Sequence, residues 1–239
     1  MKIALLSALN AARSKRCAAV LITDLDSGEQ RVAKPSQFKK DPLGSVLQDQ
    51  VRLGKSGTVE AEGKRYFLIV QAPPVRIMVT GAVHVSQVLA PMAKLLDFEV
   101  AIVDPRTAFA SPERFPDVDL HAVWPDAYLA EHPLDRYTAL VALTHDPKID
   151  DVALVAALKA DCFYIGALGS TRTHAKRVER LRAAGFGEAD MARISAPIGL
   201  DIGAATPAEI ALATLAQLTA ALRKTATAQP AKPKVAASR

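Results

Sequence analysis

The sequence predicts an α/β protein: a parallel-sheet domain with helices on both faces, preceded by a small α+β domain. Three observations carry this. From Val75 onward, short and wholly apolar runs alternate with longer segments of helical periodicity. A strand that is apolar on both faces belongs in a sheet covered on both sides. Pro73-Pro74 interrupts the chain just before that pattern begins, and a proline pair continues neither a helix nor a central strand, so it marks a domain boundary. Ahead of it, residues 1–73 read as hairpins and amphipathic helices.

In the first domain Ile3, Leu5, Leu6 and Leu9 fall on one side of a helix. The apolar run 17–22, the turn Asp26-Ser27-Gly28 and residues 30–32 predict a hairpin. Residues 34–42 are polar, contain two prolines and predict a loop. Leu43, Val46, Leu47, Val51 and Leu53 recur at helical spacing up to Gly54. Residues 58–60 and 65–70, around Glu62-Gly63, predict a second hairpin.

The second domain, 74–223, starts with a strand over 75–80, a helix over 85–96 and a strand over 99–103 that ends in Asp104. Further strands are predicted over 122–124 and 139–143, then a helix over 150–159 and a strand over 162–165. A basic helix over 172–184 is closed by Gly185. The last helix, 207–222, has Thr206 as N-cap, Pro207 at its first position and Glu209 completing a capping box. Residues 224–239 carry Ala, Lys and Pro without apolar periodicity and predict a disordered basic tail.

Composition narrows the functional classes. Aromatic residues make up only 5% of the 239 residues, too few for a surface that stacks single-stranded nucleic acid. The net charge of +5 is supplied partly by the tail, and it suits an anionic ligand or an acidic partner as well as nucleic acid. No nucleic-acid partner is therefore expected. Cys17 and Cys162 form no disulfide framework, which points to a reducing cytoplasm. The apolar segment 3–9 is broken by Asn10 and followed by Arg13, Lys15 and Arg16, so it reads as an amphipathic helix rather than a signal peptide. Nothing reaches the length of a membrane span, and no stable membrane insertion is expected.

Four loops concentrate the residues able to hold a ligand, and those at Thr144 to Asp151, Tyr164 to His174 and Pro197 to Ala204, three in one small domain, suggest a ligand cleft along one rim of a sheet. Gly81-Ala82-Val83-His84 joins the first strand and helix of the second domain, with Asp104 about 20 residues beyond the glycine, as in a dinucleotide fingerprint. Val83 and Ser86 stand where that fingerprint has its second and third glycines, and a β-branched Val83 should obstruct a pyrophosphate laid over the turn. Asp104 is placed to meet a ribose and Arg106 a phosphate; His84 either contacts an anion or caps its helix. Thr144-His145-Asp146 emerges at the carboxyl end of a strand, where open α/β sheets bind ligands, although Asp146 before Pro147 is also an ordinary turn. Gly166 and Gly169-Ser170 precede a helix that contains Arg172 and Thr173. Amides at a helix N-terminus plus Arg172 make an anion site, while Lys176, Arg177 and Arg180 read as a solvated face. Gly199 and Asp201 belong to a further glycine-rich turn.

The sequence has no Gly-x-Ser-x-Gly, no Gly-Lys-Ser/Thr phosphate loop and no His-Glu-x-x-His. His145 with Asp146 could serve as an acid–base pair, but nothing marks a nucleophile, an electron carrier or a metal site. The pattern suits binding more than conversion, with an NAD(P)- or FAD-dependent oxidoreductase as the alternative.

These blocks, with Asp104-Pro105-Arg106, Phe115-Pro116, Thr144 to Lys148, Gly166 to Ser170 and Pro197 to Gly203, resemble the xanthine dehydrogenase accessory proteins. That family includes the maturation factors of aerobic carbon monoxide dehydrogenase. The resemblance implies a Rossmann-like domain that binds the molybdenum cofactor (molybdopterin or its cytosine dinucleotide), protects it during sulfuration and inserts it into an apo molybdenum hydroxylase. Such proteins are chaperones rather than enzymes; a cysteine desulfurase partner and a homodimer are further implications. The family's first turn is usually Gly-Ala-Gly-His, which Val83 interrupts, and its N-terminal domain usually carries glycine-rich motifs that residues 1–72 lack. FAD is a related candidate ligand, because the target enzymes also carry a flavin.

Overall fold

The computed structural model describes residues 2–224; apart from Lys224, the expected tail lies outside the described residues. The chain divides into two compact units, one ending at Pro74 and the other beginning at Val75.

The first unit contains α1 (Ile3–Ser14), β1 (Ala19–Asp24), β2 (Gln30–Ala33), α2 (Pro35–Phe38), α3 (Gly44–Leu53), β3 (Gly57–Ala61) and β4 (Lys64–Gln71). Its four strands form an antiparallel sheet in the order β2-β1-β4-β3. Strand β1 is buried on both faces, which explains its unbroken apolar run. Val20 and Ile22 pack with Leu47 of α3 and with Leu68, whereas Ala19 and Leu21 meet Leu9 and Ala12 of α1. The stretch 34–42, expected as a loop, contains the single turn α2. Pro35 sets its first position, Gln37 Oε1 accepts from the Lys34 amide at 2.9 Å, and Phe38 anchors it in the core.

The second unit continues with β5 (Arg76–Thr80), α4 (His84–Lys94), β6 (Glu99–Val103), β7 (Asp119–His121), α5 (Pro125–Glu131), β8 (Thr138–Ala142) and α6 (Pro147–Lys159). Then follow β9 (Tyr164–Ala167), α7 (Thr171–Ala183), α8 (Glu188–Met191), β10 (Ile194–Ser195) and α9 (Pro207–Arg223). Its sheet is parallel throughout, in the order β10-β9-β8-β5-β6-β7. Helices α4 and α9 cover one face, where Val85, Leu89 and Ala93 pack with Leu215 and Leu218. On the other face Leu154 and Ala157 of α6 and Leu181 of α7 pack on Leu140 and Ile165. Every residue of β8 is buried, and each such Leu or Ile contributes about 1.5–3 kcal/mol.

The strand expected over 122–124 is instead β7, over Asp119–His121. Leu120 pairs with Ile102, and the Asp104 amide donates to the His121 carbonyl at 3.1 Å. The apolar pair Val123 and Trp124 suggested the later position, but Pro125 starts α5 and turns the chain away, leaving both residues exposed. An edge strand needs less apolar sequence than a central one, so β7 is polar. From β5 the chain winds outward through β6 to β7, then returns to β8 on the other side of β5. The winding reverses between β5 and β8, and the crevice beyond their carboxyl ends is where sheets of this kind hold ligands.

Candidate functional site

At that reversal β5 runs into Gly81, with φ +112°. A Cβ there would stand 2.9 Å from Thr144 Cγ2, so only glycine lets the two strand exits run side by side. The turn beyond it is closed by Ser86, a fully buried residue at the position expected for a third glycine. Its Oγ accepts from the Val83 amide at 2.9 Å and lies 2.7 Å from the carbonyls of Gly81 and Val83, donating to one of them. Val83 sits in extended backbone, φ −111°, half-buried against the core under α4. Ala82 is buried, and His84 is exposed at the first position of α4.

Asp104 ends β6 with no exposed surface, and its oxygens are heavily used. The amide and Nε of Arg106 donate to Oδ1 at 3.0 and 2.9 Å; Arg106 Nη2 and the Ala82 amide donate to Oδ2 at 2.7 and 2.8 Å. Burial alone would raise this carboxyl, but the Arg106 guanidinium and the amides of Ala82 and Arg106 outweigh it and hold Asp104 below the usual aspartate value. Arg106 also lies 4.5 Å over the Phe109 ring. The pair is a clasp between the first turn and the end of β6.

Asp150, in the first turn of α6, holds the second loop. It is 2% exposed and accepts from Thr80 Oγ1 at 2.7 Å, the His145 amide at 3.0 Å and the Thr144 amide at 3.4 Å. Here burial wins and the carboxyl is pushed up. His145 takes φ +63° and is exposed. Asp146 caps α6 by accepting from the Lys148 amide at 2.9 Å, and its own amide donates to Thr144 Oγ1 at 3.0 Å.

These two buried carboxylates should bend stability in opposite directions with pH. Asp104, depressed in the folded state, contributes stability above the unfolded aspartate range that is lost as pH falls through its folded value. Asp150, raised, contributes stability that is complete below the unfolded value and is lost as pH rises through the folded one. Urea unfolding between about pH 3 and 7 should show the wild-type advantage over Asp104→Asn growing with pH. The same advantage over Asp150→Asn should shrink. Difference curves of the same slope would refute the assignment.

The third loop touches the second: a Cβ on Gly169 would lie 3.6 Å from His145 Nδ1. Ser170 caps α7 by accepting from the Thr173 amide at 3.2 Å. Between the amino-terminal halves of α6 and α7 runs a cleft of about 430 Å³, lined by His145, Arg172, Thr173, Lys176, Arg177 and Arg180 together with Asp150 and Asp151. Arg180 is spent on Asp151, with Nη2 to Oδ1 at 3.0 Å. Arg177 was expected on a solvated face, and the structure corrects this: it is 2% exposed. Nη2 donates to the Leu168 carbonyl at 2.9 Å, while Nε and Nη1 have no hydrogen-bond partner. The available signal was helical spacing, because Arg177 stands one turn before the buried Leu181.

Gly166 and Gly199 serve packing. A Cβ on Gly166 would meet the Ile198 side chain at 2.7 Å, and one on Gly199 would meet Ala213 Cβ of α9 at 2.9 Å. Gln217 accepts from the Gly199 amide and from the Tyr164 hydroxyl, and donates to the Gly199 carbonyl. Asp201 is exposed and lies outside the α6–α7 cleft. A larger recess of about 770 Å³ is lined by Ile77, Met78, Phe98, Tyr128 and the Phe115-Pro116 pair, and contains none of the candidate cofactor-binding residues.

Residues 77–218, more than half of the chain, match the family described as the XdhC Rossmann domain. The chain belongs to the XdhC family. The match contains the loops at 81–84, 144–146 and 169–173 and both helices of the cleft, so the whole candidate site lies within the XdhC domain. Among similar XdhC relatives is the molybdenum cofactor insertion chaperone PaoD of Escherichia coli, 30% identical over 206 residues, which cover 85% of this chain and 56% of PaoD. The uncharacterized protein YqeB of Escherichia coli is 34% identical over 154 residues, covering 64% of this chain and 28% of YqeB. A probable xanthine dehydrogenase subunit from Bacillus subtilis is 31% identical over 147 residues, covering 61% of this chain and 42% of that subunit. The chain thus matches between 28% and 56% of the length of these curated relatives. A solved xanthine dehydrogenase of Bacillus halodurans shares the fold, with a TM-score of 0.63, 22% identity and coverage of 94% of this chain and 66% of that one. Among the described residues, no helix is long and apolar enough to cross a membrane.

Proposed function

We propose that this chain is a cytoplasmic maturation factor that holds the molybdenum cofactor, as molybdopterin or its cytosine dinucleotide, and passes it to an apo molybdenum hydroxylase. The observation that carries the reading is the convergence of the first three loops. Gly81 abuts Thr144, and His145 abuts Gly169, on one rim at the winding reversal of an XdhC domain. The residues present suit an anionic cargo, since a buried guanidinium keeps two N–H groups without a partner beside this rim. His145, Arg172 and Thr173 line the cleft as binding groups, while Asp104, Asp146 and Asp150 hold the loops in shape. FAD, which also bears phosphate, is the alternative cargo. A cysteine desulfurase is the proposed source of sulfur, and a homodimer the proposed assembly. PaoD, named as an insertion chaperone, supports the direction of transfer.

Mixing the purified protein with cofactor and an apo-hydroxylase should raise the molybdenum content of that enzyme, while the protein alone turns over no NAD(P)H or flavin substrate. His145→Gln should weaken cofactor binding yet still permit some activation when cofactor is in excess. Steady turnover by the isolated protein that collapses in His145→Gln would convert the reading to an oxidoreductase. An apo-enzyme that gains no metal would overturn it outright.

A further inference from the structure

Arg177 shows what part of the cargo the α6–α7 cleft grips. Arginine stays charged at any physiological pH, so its burial leaves a cation whose one hydrogen bond goes to the Leu168 carbonyl, with Asp150 and Asp151 acting on it through charge but not bonded to its free nitrogens. Native structures pair such groups, and an orphaned pair of guanidinium N–H donors points to a missing acceptor. The carboxylates of the cleft are otherwise engaged: Asp150 holds Thr80 and the His145 amide, and Asp151 holds Arg180. Arg172, Lys176, Arg177 and Arg180 outnumber Asp150 and Asp151 around the space, which leaves a cationic surplus next to the amino end of the 13-residue helix α7. Nε and Nη1 each form a parallel N–H pair with Nη2, and Nη2 keeps a second hydrogen beyond the one given to Leu168, so one edge of the guanidinium is still able to grip two phosphate oxygens in bidentate fashion.

We propose that this cleft is a phosphate subsite with Arg177 as its anchor, Lys176 and Arg172 closing over the anion, and that it takes the phosphate or diphosphate group of the cargo. The subsite rests on the cofactor-holding reading above, but it can fail separately. A terminal phosphomonoester and an internal diphosphate present the same oxygens, and inorganic phosphate and pyrophosphate serve as probes for the two sources.

Calorimetric titration of the full chain at low salt should show one site for at least one of these probes. A preference for phosphate would indicate a monoester cargo, and a preference for pyrophosphate a dinucleotide. Arg177→Gln should weaken the preferred probe at least tenfold while the thermal unfolding temperature of the free protein changes little. Lys176→Gln, at an exposed position that folding does not need, should weaken it about threefold, with a shallower salt dependence. Arg177→Lys should restore only part of the affinity, because the charge returns without the fork. No binding by the wild type at millimolar probe, or unchanged affinity in both Gln variants, would overturn the subsite. So would an Arg177→Gln protein that unfolds early yet binds as tightly as wild type, since Arg177 would then serve only the Leu168 carbonyl. Molybdenum transfer without any probe binding would remove the subsite and leave the chaperone. Probe binding without transfer would do the reverse.

Discussion

Asp150→Ala is expected to lower the stability of the second unit by about 3–5 kcal/mol. The Thr80 hydroxyl and the His145 and Thr144 amides all lose their acceptor at once, and the hydroxyl belongs to a residue with no exposed surface. Each buried donor left without a partner costs about 1–3 kcal/mol, with water entering from the cleft offsetting part of the sum. The single tryptophan, Trp124, lies in this unit and reports its unfolding in urea by fluorescence. Asp151→Ala is the control, because its pair with Arg180 is partly exposed and should matter by about 1 kcal/mol or less. A loss below about 1 kcal/mol in Asp150→Ala would mean that the second loop is held by something other than this carboxylate.

Gly199→Ala should cost about 2–5 kcal/mol, combining left-handed strain with overpacking against α9. The backbone stands at φ +92°, and the new methyl would meet Ala213 Cβ at 2.9 Å and the helix backbone at 3.2 Å. Backbone cannot rotate aside, so either α9 or the turn must shift, straining the hydrogen bonds from Gln217. Gly203→Ala separates the two terms: φ there is +74°, but nothing lies within 4 Å of the added methyl. It should cost about 1–2 kcal/mol from conformation alone. Equal losses in the two variants would show that contact with Ala213 contributes nothing.

The doubly covered sheet was legible because central parallel strands must be apolar on both faces, and 77–79, 139–143 and 162–165 are. The edge strand β7 was misplaced by a few residues, since exposure on one side relaxes that demand and Pro125 pulled the apolar Val123 and Trp124 into the approach to a helix. Helices α5 and α8 were missed, being too short to show a period. At the site, loop positions followed from glycine and strand ends, so Gly81, Thr144, His145 and Gly169 could be named. What the sequence hid was which polar residues go inside. Arg177, Asp150 and Ser86 look like surface residues by type, and it is the partners that the folded loops supply, the Leu168 carbonyl, Thr80 and the Gly81 carbonyl, that make their burial tolerable.

The parallel sheet ends in strands of only two residues at β10 and three at β7. A neighbouring chain that sought to add itself as a seventh strand would find very few open amides and carbonyls on either side, so edge-to-edge growth is discouraged at both margins. Assembly of this unit, whether with a second copy or with a client enzyme, must then be carried by side-chain contacts on helices and loops. Contacts of that sort can be made and released without unpicking a backbone ladder, which suits the proposed role of passing a cofactor on.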